Sequence, residues 1–169
     1  MTDAPLRNRA GELRQAFDDS FALAPRAEAA PLEDFLAIRL ADTPYALRLK
    51  DLSGLLTAQR ITPVPSSTLG LLGLVGVSGS LVPAYDLGVL LGHPPTDAGR
   101  WLGLVGQKTL TGFLFDGMEG FLRLPHEALA RLAGEDSTAF VQEALRLNEG
   151  LVRPVVHLPS VLASLKKDP

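Results

Sequence analysis

The 169-residue chain has no cysteine, three histidines, one tryptophan and two tyrosines. Without cysteine there can be no disulfide framework, thiol nucleophile, or cysteine-ligated zinc or iron–sulfur site. The same absence fits a reducing compartment, and a cytoplasmic location is expected. His93, His126 and His157 lie far apart in sequence and show no metal-ligand spacing. Ser66, Ser67, Ser78 and Ser80 have neither a neighbouring histidine nor the spacing of a nucleophile elbow. Groups that could be tuned for acid–base work near neutral pH are therefore scarce. No basic segment followed by an apolar run opens the chain, so no signal peptide is expected. The formal net charge of −3 gives no electrostatic reason to expect nucleic acid. An apolar fraction of 46% argues against disorder, and the length suits one domain or two small ones sharing an interface. These counts favour a binding protein, with no catalytic residue, cofactor or metal expected.

What is present divides at about residue 32. Before it, Leu6, Leu13, Ala16, Phe17 and Phe21 recur at three- and four-residue steps among charged residues, which predicts an amphipathic helix. This helix would dock on its own domain or on a partner. Residues 24–31 carry two prolines and no large apolar side chain, and read as a linker. From Phe35 the period becomes two, and residues 35–49 read as a hairpin interrupted near Asp42 and Pro44. Leu52, Leu55 and Leu56 form a third apolar segment. Ile61 to Tyr85 is 25 residues without a charge, but three prolines and four glycines make it a poor membrane helix. Short strands joined by glycine turns are expected there instead. Trp101–Val105 and Thr109–Phe115 read as strands, residues 125–133 as a short helix, 140–147 as helix or strand, and 151–158 as a strand.

The chain also contains an internal duplication. Gly79, Pro83, Asp86, Leu87 and Leu91 recur as Gly150, Pro154, His157, Leu158 and Leu162, at an offset of 71. Ala46, Leu47, Leu49, Leu52, Gly54, Leu55 and Leu56 meet Gly112, Phe113, Phe115, Met118, Gly120, Phe121 and Leu122, at an offset of 66. Two offsets in the same order imply two similar β-units, each too small to bury much alone, with an insertion between matched blocks. Asp86 and His157 occupy equivalent places, which predicts that both cap a turn at a strand end.

The run from Leu72 to Gly92, with Gly79, Val82, Pro83, Asp86 and Leu87 as its most specific part, resembles CheW-type chemotaxis adaptors. The block from Gly112 through Asp116 to Met118 resembles a second conserved block of that family. The likeness spans roughly residues 33–165. It implies an all-β fold of two intertwined, five-stranded SH3-like barrels, divided near residues 92–100. It also implies a non-catalytic scaffold, recruited to receptor arrays, that couples a chemoreceptor tip to the regulatory domain of a CheA-type histidine kinase. In such members one barrel surface would engage the kinase and the groove between barrels the receptor. Two departures stand out. Ser78 lies where the family has arginine, and Gly54 where it often has an acid.

Residues 61–99 contain no lysine or arginine and only two acids, Asp86 and Asp97. Interface centres are depleted of charge, so the partner surface is expected around Leu52, Gly54, Leu55, Val75, Gly76, Ser78 and Val82. Two other readings stay open: a divergent regulator keeping only one of the two contacts, and a small β-barrel enzyme.

Overall fold

A computed structural model describes residues 30–167 except 58, 98 and 100. The expected N-terminal helix lies outside these residues. The described chain forms two six-stranded sheets. The first contains β1 (Leu32–Leu40), β2 (Thr43–Arg48), β9 (Gly117–Pro125), β10 (Leu129–Arg131), β11 (Val141–Arg146) and β12 (Val152–Val156), in the order β10-β11-β12-β2-β1-β9. The second contains β3 (Gly54–Thr57), β4 (Ile61–Thr62), β5 (Leu71–Val77), β6 (Ser80–Asp86), β7 (Trp101–Val105) and β8 (Thr111–Phe115), in the order β3-β7-β8-β6-β5-β4. Two helices follow β6 and β12: α1 (Leu87–Leu90) and α2 (Leu158–Leu165).

These orders are the same order read through the duplication. Each sheet takes its middle hairpin from the other half of the chain. β1 and β2 complete the sheet built by β9–β12, while β7 and β8 complete the one built by β3–β6. Among the described residues, the two parallel joints show this directly. Ala84 and Tyr85 of β6 pair with Gly112 and Phe113 of β8. Val155 and Val156 of β12 pair with Ala46 and Leu47 of β2. The two sequence offsets, 71 and 66, convert one joint into the other. A register shift falls between Leu71 and Gly73 in β5, and its equivalent between Val141 and Glu143 in β11.

Apolar packing follows the same rule. Phe35, Ala46, Leu145 and Val155 form a core with Leu122, Leu124 and Leu129. Those residues come from every strand of the first sheet. Six strands laid flat would span roughly 24 Å, so β9 and β10, at opposite ends, reach one core only if the sheet curls around it. The second sheet does the same with Val75, Val82, Ala84, Leu102, Leu104 and Leu114, joined by Leu56 and Ile61 from its outermost strands. A larger seam between the sheets contains Ile38, Leu47, Val105, Phe113 and Phe115, with Leu87 of α1 and Leu158 and Val161 of α2. Each fully buried Leu or Phe there contributes about 1.5–3 kcal/mol relative to exposure, and most of the large buried side chains sit in this seam.

Three local expectations change. Residues 125–133 are not a helix: β9 runs to Pro125, a single 3-10 turn covers His126–Ala128, and β10 follows. The proline and glycine that bracket this stretch also suit turns, and β11 supplies the hydrogen bonds that a helix would have made internally. Residues 140–147 resolve as strand β11. The strand expected over 151–158 stops at Val156, and α2 begins at Leu158. The sixth strand of each sheet is short, two residues in β4 and three in β10.

Candidate partner-binding surface

Asp86 and His157 share a capping role, as their equivalence predicts, and what they cap is the start of a helix that follows each strand. The Asp86 carboxylate accepts a hydrogen bond from the Val89 N–H at 3.1 Å. His157 Nδ1 accepts from the Ser160 N–H at 3.2 Å and lies 2.6 Å from the Ser160 hydroxyl. Each satisfies an amide that a helix start leaves free.

Next to these caps lie two cavities of similar size, about 290 Å³ and 280 Å³. Part of their linings corresponds through the duplication. Pro63, Leu72, Asp86 and Leu114 line the first. Arg131, Gln142, His157 and Arg48 stand at the equivalent places in the second.

Two ion-pair networks hold the first sheet. Arg48 bridges Glu33 at 3.2 Å and Glu143 at 2.5 Å, and Lys50 reaches Glu33 at 2.6 Å. Burial pushes the Glu33 carboxyl upward, but the Lys50 hydrogen bond and the charges of Arg48 and Lys50 outweigh it and hold the group below its usual range. Arg153, buried where its counterpart Val82 is apolar, donates to the Ile38 and Tyr45 carbonyls and to Glu119. Glu119 also accepts from Arg39. The hydrogen bonds from Arg39 and Arg153 hold its carboxyl below the ordinary value.

The residues expected to form the partner surface do not share a face. Val75 is 1% exposed and Val82 2% exposed; they pair with each other and point into the core of the second sheet. Neither can touch a partner, which corrects the sequence-based expectation. The deficit of charge that singled them out belongs to both faces of the hairpin, and strand alternation sends these two inward. Leu52 and Leu55 are half-buried against the central seam. Gly54 lies on β3, with β7, β8 and β6 between it and β5 in the sheet order. A side chain at Gly54 would meet Leu104 at 3.3 Å.

Gly76 and Ser78 are exposed, and they belong to a surface the charge count only bordered. Leu81, paired with Gly76, is 73% exposed, and Leu69 and Leu72 are exposed with it. Leu81 was legible from parity alone, because it precedes the inward Val82. Phe121, exposed on β9, was legible only as the equivalent of Leu55. Among the described residues, no group of three His, Asp or Glu side chains is placed to hold a metal ion, and no helix is long and apolar enough to cross a membrane.

Two interlocked, duplicated β-units around a shared apolar seam define the fold class of this protein. A CheW-like domain matches residues 34–166. The chain therefore belongs to the CheW-like family. Among solved structures it is similar to the scaffolding protein TtCheW from Thermoanaerobacter tengcongensis, with a TM-score of 0.66 and 16% identity over 75% of this chain and 89% of that chain. Comparison with curated proteins returned no match.

Proposed function

We propose that this protein is a non-catalytic adaptor of a chemosensory system, coupling a chemoreceptor tip to the regulatory domain of a CheA-type histidine kinase. Membership of the CheW-like family supports the reading, and one observation gives it a location. The β5–β6 hairpin exposes Leu72, Gly76, Ser78 and Leu81 within a stretch that carries no basic residue. Exposed apolar side chains grouped this way mark contact surfaces. The partner-facing set is thus Gly76 and Ser78 with Leu72 and Leu81, and Val75 and Val82 support it from inside.

Co-elution with a CheA-type regulatory domain tests the reading. Leu81→Glu and Ser78→Arg should each weaken the complex about tenfold or more while the fold is kept, since truncating a central interface residue costs about 1–2 kcal/mol or more. Full-strength binding by both folded variants would place the contact elsewhere. A second reading, a regulator that keeps only one contact, is favoured by Gly54 and Ser78 standing where the family carries an acid and an arginine. Binding of the kinase domain without binding of a receptor tip would select it. Turnover in a substrate panel that is abolished by substituting Asp86 or His157 would instead favour the enzyme.

A further inference from the structure

The two helix caps differ in one chemical respect. Asp86 offers a carboxylate, whereas His157 offers an imidazole nitrogen that can accept a hydrogen bond only while unprotonated. We propose that His157 makes the docking of α2 sensitive to protons, so that acidification loosens the C-terminal helix from the seam between the sheets.

The geometry supplies both states. In the neutral imidazole with its proton on Nε2, Nδ1 accepts from the Ser160 N–H, with the Ser160 hydroxyl beside it. Once protonated, Nδ1 is a donor. It can still give its hydrogen to the Ser160 oxygen at 2.6 Å, but the Ser160 N–H must let go. That amide then keeps only its contact with the His157 carbonyl, at 3.1 Å.

The surroundings accept a positive charge on the ring. Asp51, in the 3-10 turn after β2, has a buried oxygen without a hydrogen-bond partner. Burial raises its carboxyl, and the charge of His157 is the foremost influence opposing that rise. The other charged groups around this corner are Arg48 from β2, Lys50 from the same turn, Arg131 from β10, Glu143 from β11 and Glu33 from β1. Three cations face three anions there, and Asp51 and Glu33 each keep one buried oxygen without a hydrogen-bond partner. Protonation of His157 therefore trades a helix cap for attraction to Asp51.

The consequence is carried by α2. Leu158 and Val161 are fully buried in the central seam, and Leu162 and Leu165 pack against it. Weakening the first turn of an eight-residue helix loosens these contacts first, because so short a helix depends on its cap and on docking.

Amide hydrogen exchange of the full chain from about pH 8 to 5, followed by NMR, tests this. Loss of a cap corresponds to about a fivefold increase in local opening. Protection of Ser160, Val161 and Leu162, corrected for intrinsic exchange, should fall by about that factor as the imidazole nitrogen shifts report protonation. His157→Asn keeps a cap that does not titrate and should hold protection constant over the same range. Equal pH responses in the wild type and His157→Asn, or an imidazole that titrates with no change at Ser160, would overturn the proposal.

Discussion

Ser78 carries a positive φ of 48° at the tip of the β5–β6 hairpin, beside Gly79 at 82°. Consecutive left-handed residues turn a hairpin with the twist its strands require, but a side chain pays about 1 kcal/mol or more to adopt that backbone. Ser78→Gly should therefore raise stability by about 0.5–1 kcal/mol, read as a higher denaturation midpoint at unchanged slope. Gly73 is the opposite case. Its φ is 147°, and a Cβ there would lie 2.1 Å from the Thr62 carbonyl oxygen of β4. Gly73→Ala should cost about 2 kcal/mol or more and detach β4.

Glu119 gives the molecule a pH dependence of definite sign. Its folded carboxyl lies below its unfolded value because Arg39 and Arg153 hold the charged form. The stability this contributes is complete above the ordinary carboxylate value near about 4.3 and disappears as pH falls through the lowered folded value. Glu119→Gln leaves the buried Arg153 guanidinium without its counter-charge, and at neutral pH should cost about 1–2 kcal/mol. Denaturation curves of the two proteins should converge as pH falls below about 4. Curves that stay parallel would remove Glu119 from this role. Residue-scale roles were legible where the duplication paired positions: Asp86 with His157 foretold two caps. Arg153 was hidden, because its partner Val82 is apolar and nothing in sequence marks a buried arginine.

At the scale of elements, the outer face of the β5–β6 hairpin and the segment that leads into β3 differ in burial, and substitutions should separate them. Leu81→Glu, on the exposed face, should change stability by no more than about 0.5 kcal/mol. Leu52→Glu places a charge against the central seam and should destabilise by about 2–3 kcal/mol. Thermal melts of the two variants check the contrast, and they show why Leu52 is a poor probe of partner binding. Alternation identified the strands, but a deficit of charge spread over residues 61–99 could not say which alternate residues face outward. α2 was missed although Leu158, Val161, Leu162 and Leu165 repeat at helical spacing, because Val155 and Val156 lead up to Leu158 with only His157 between, which continues the strand reading. β10 was read as helix because three residues are too few to show a period; pairing with β11 decides its form.

For the whole molecule, the duplication was visible in the residues, whereas the interweaving entered only through the family resemblance. A repeat shows that two units are alike. It does not say which copy of the β1–β2 hairpin completes which sheet, since either choice keeps the same local pairs. The exchange predicts how the chain can be divided. Fragments separated within the proposed boundary at residues 92–100 each lack the middle hairpin of their own sheet. Each should be largely unfolded by circular dichroism alone, and mixing should restore one cooperative transition. Independent folding of either fragment would show that a hairpin can return to its own half.

The exchange also sets an order in time. All strands of the second sheet are synthesised by Phe115, but the first waits for β12, which ends at Val156. The 41 residues between those points take the ribosome roughly 2–8 s to add. At the start of that interval β1 and β2 have none of β9–β12 and until its end they lack β12, and an isolated hairpin is marginal in water. Phe35, Leu36, Ile38 and Leu47 therefore wait without the strands that will cover them. The oldest segment of the domain is among the last to be buried, which makes the period just before β12 is completed the time when this domain most needs protection from its neighbours.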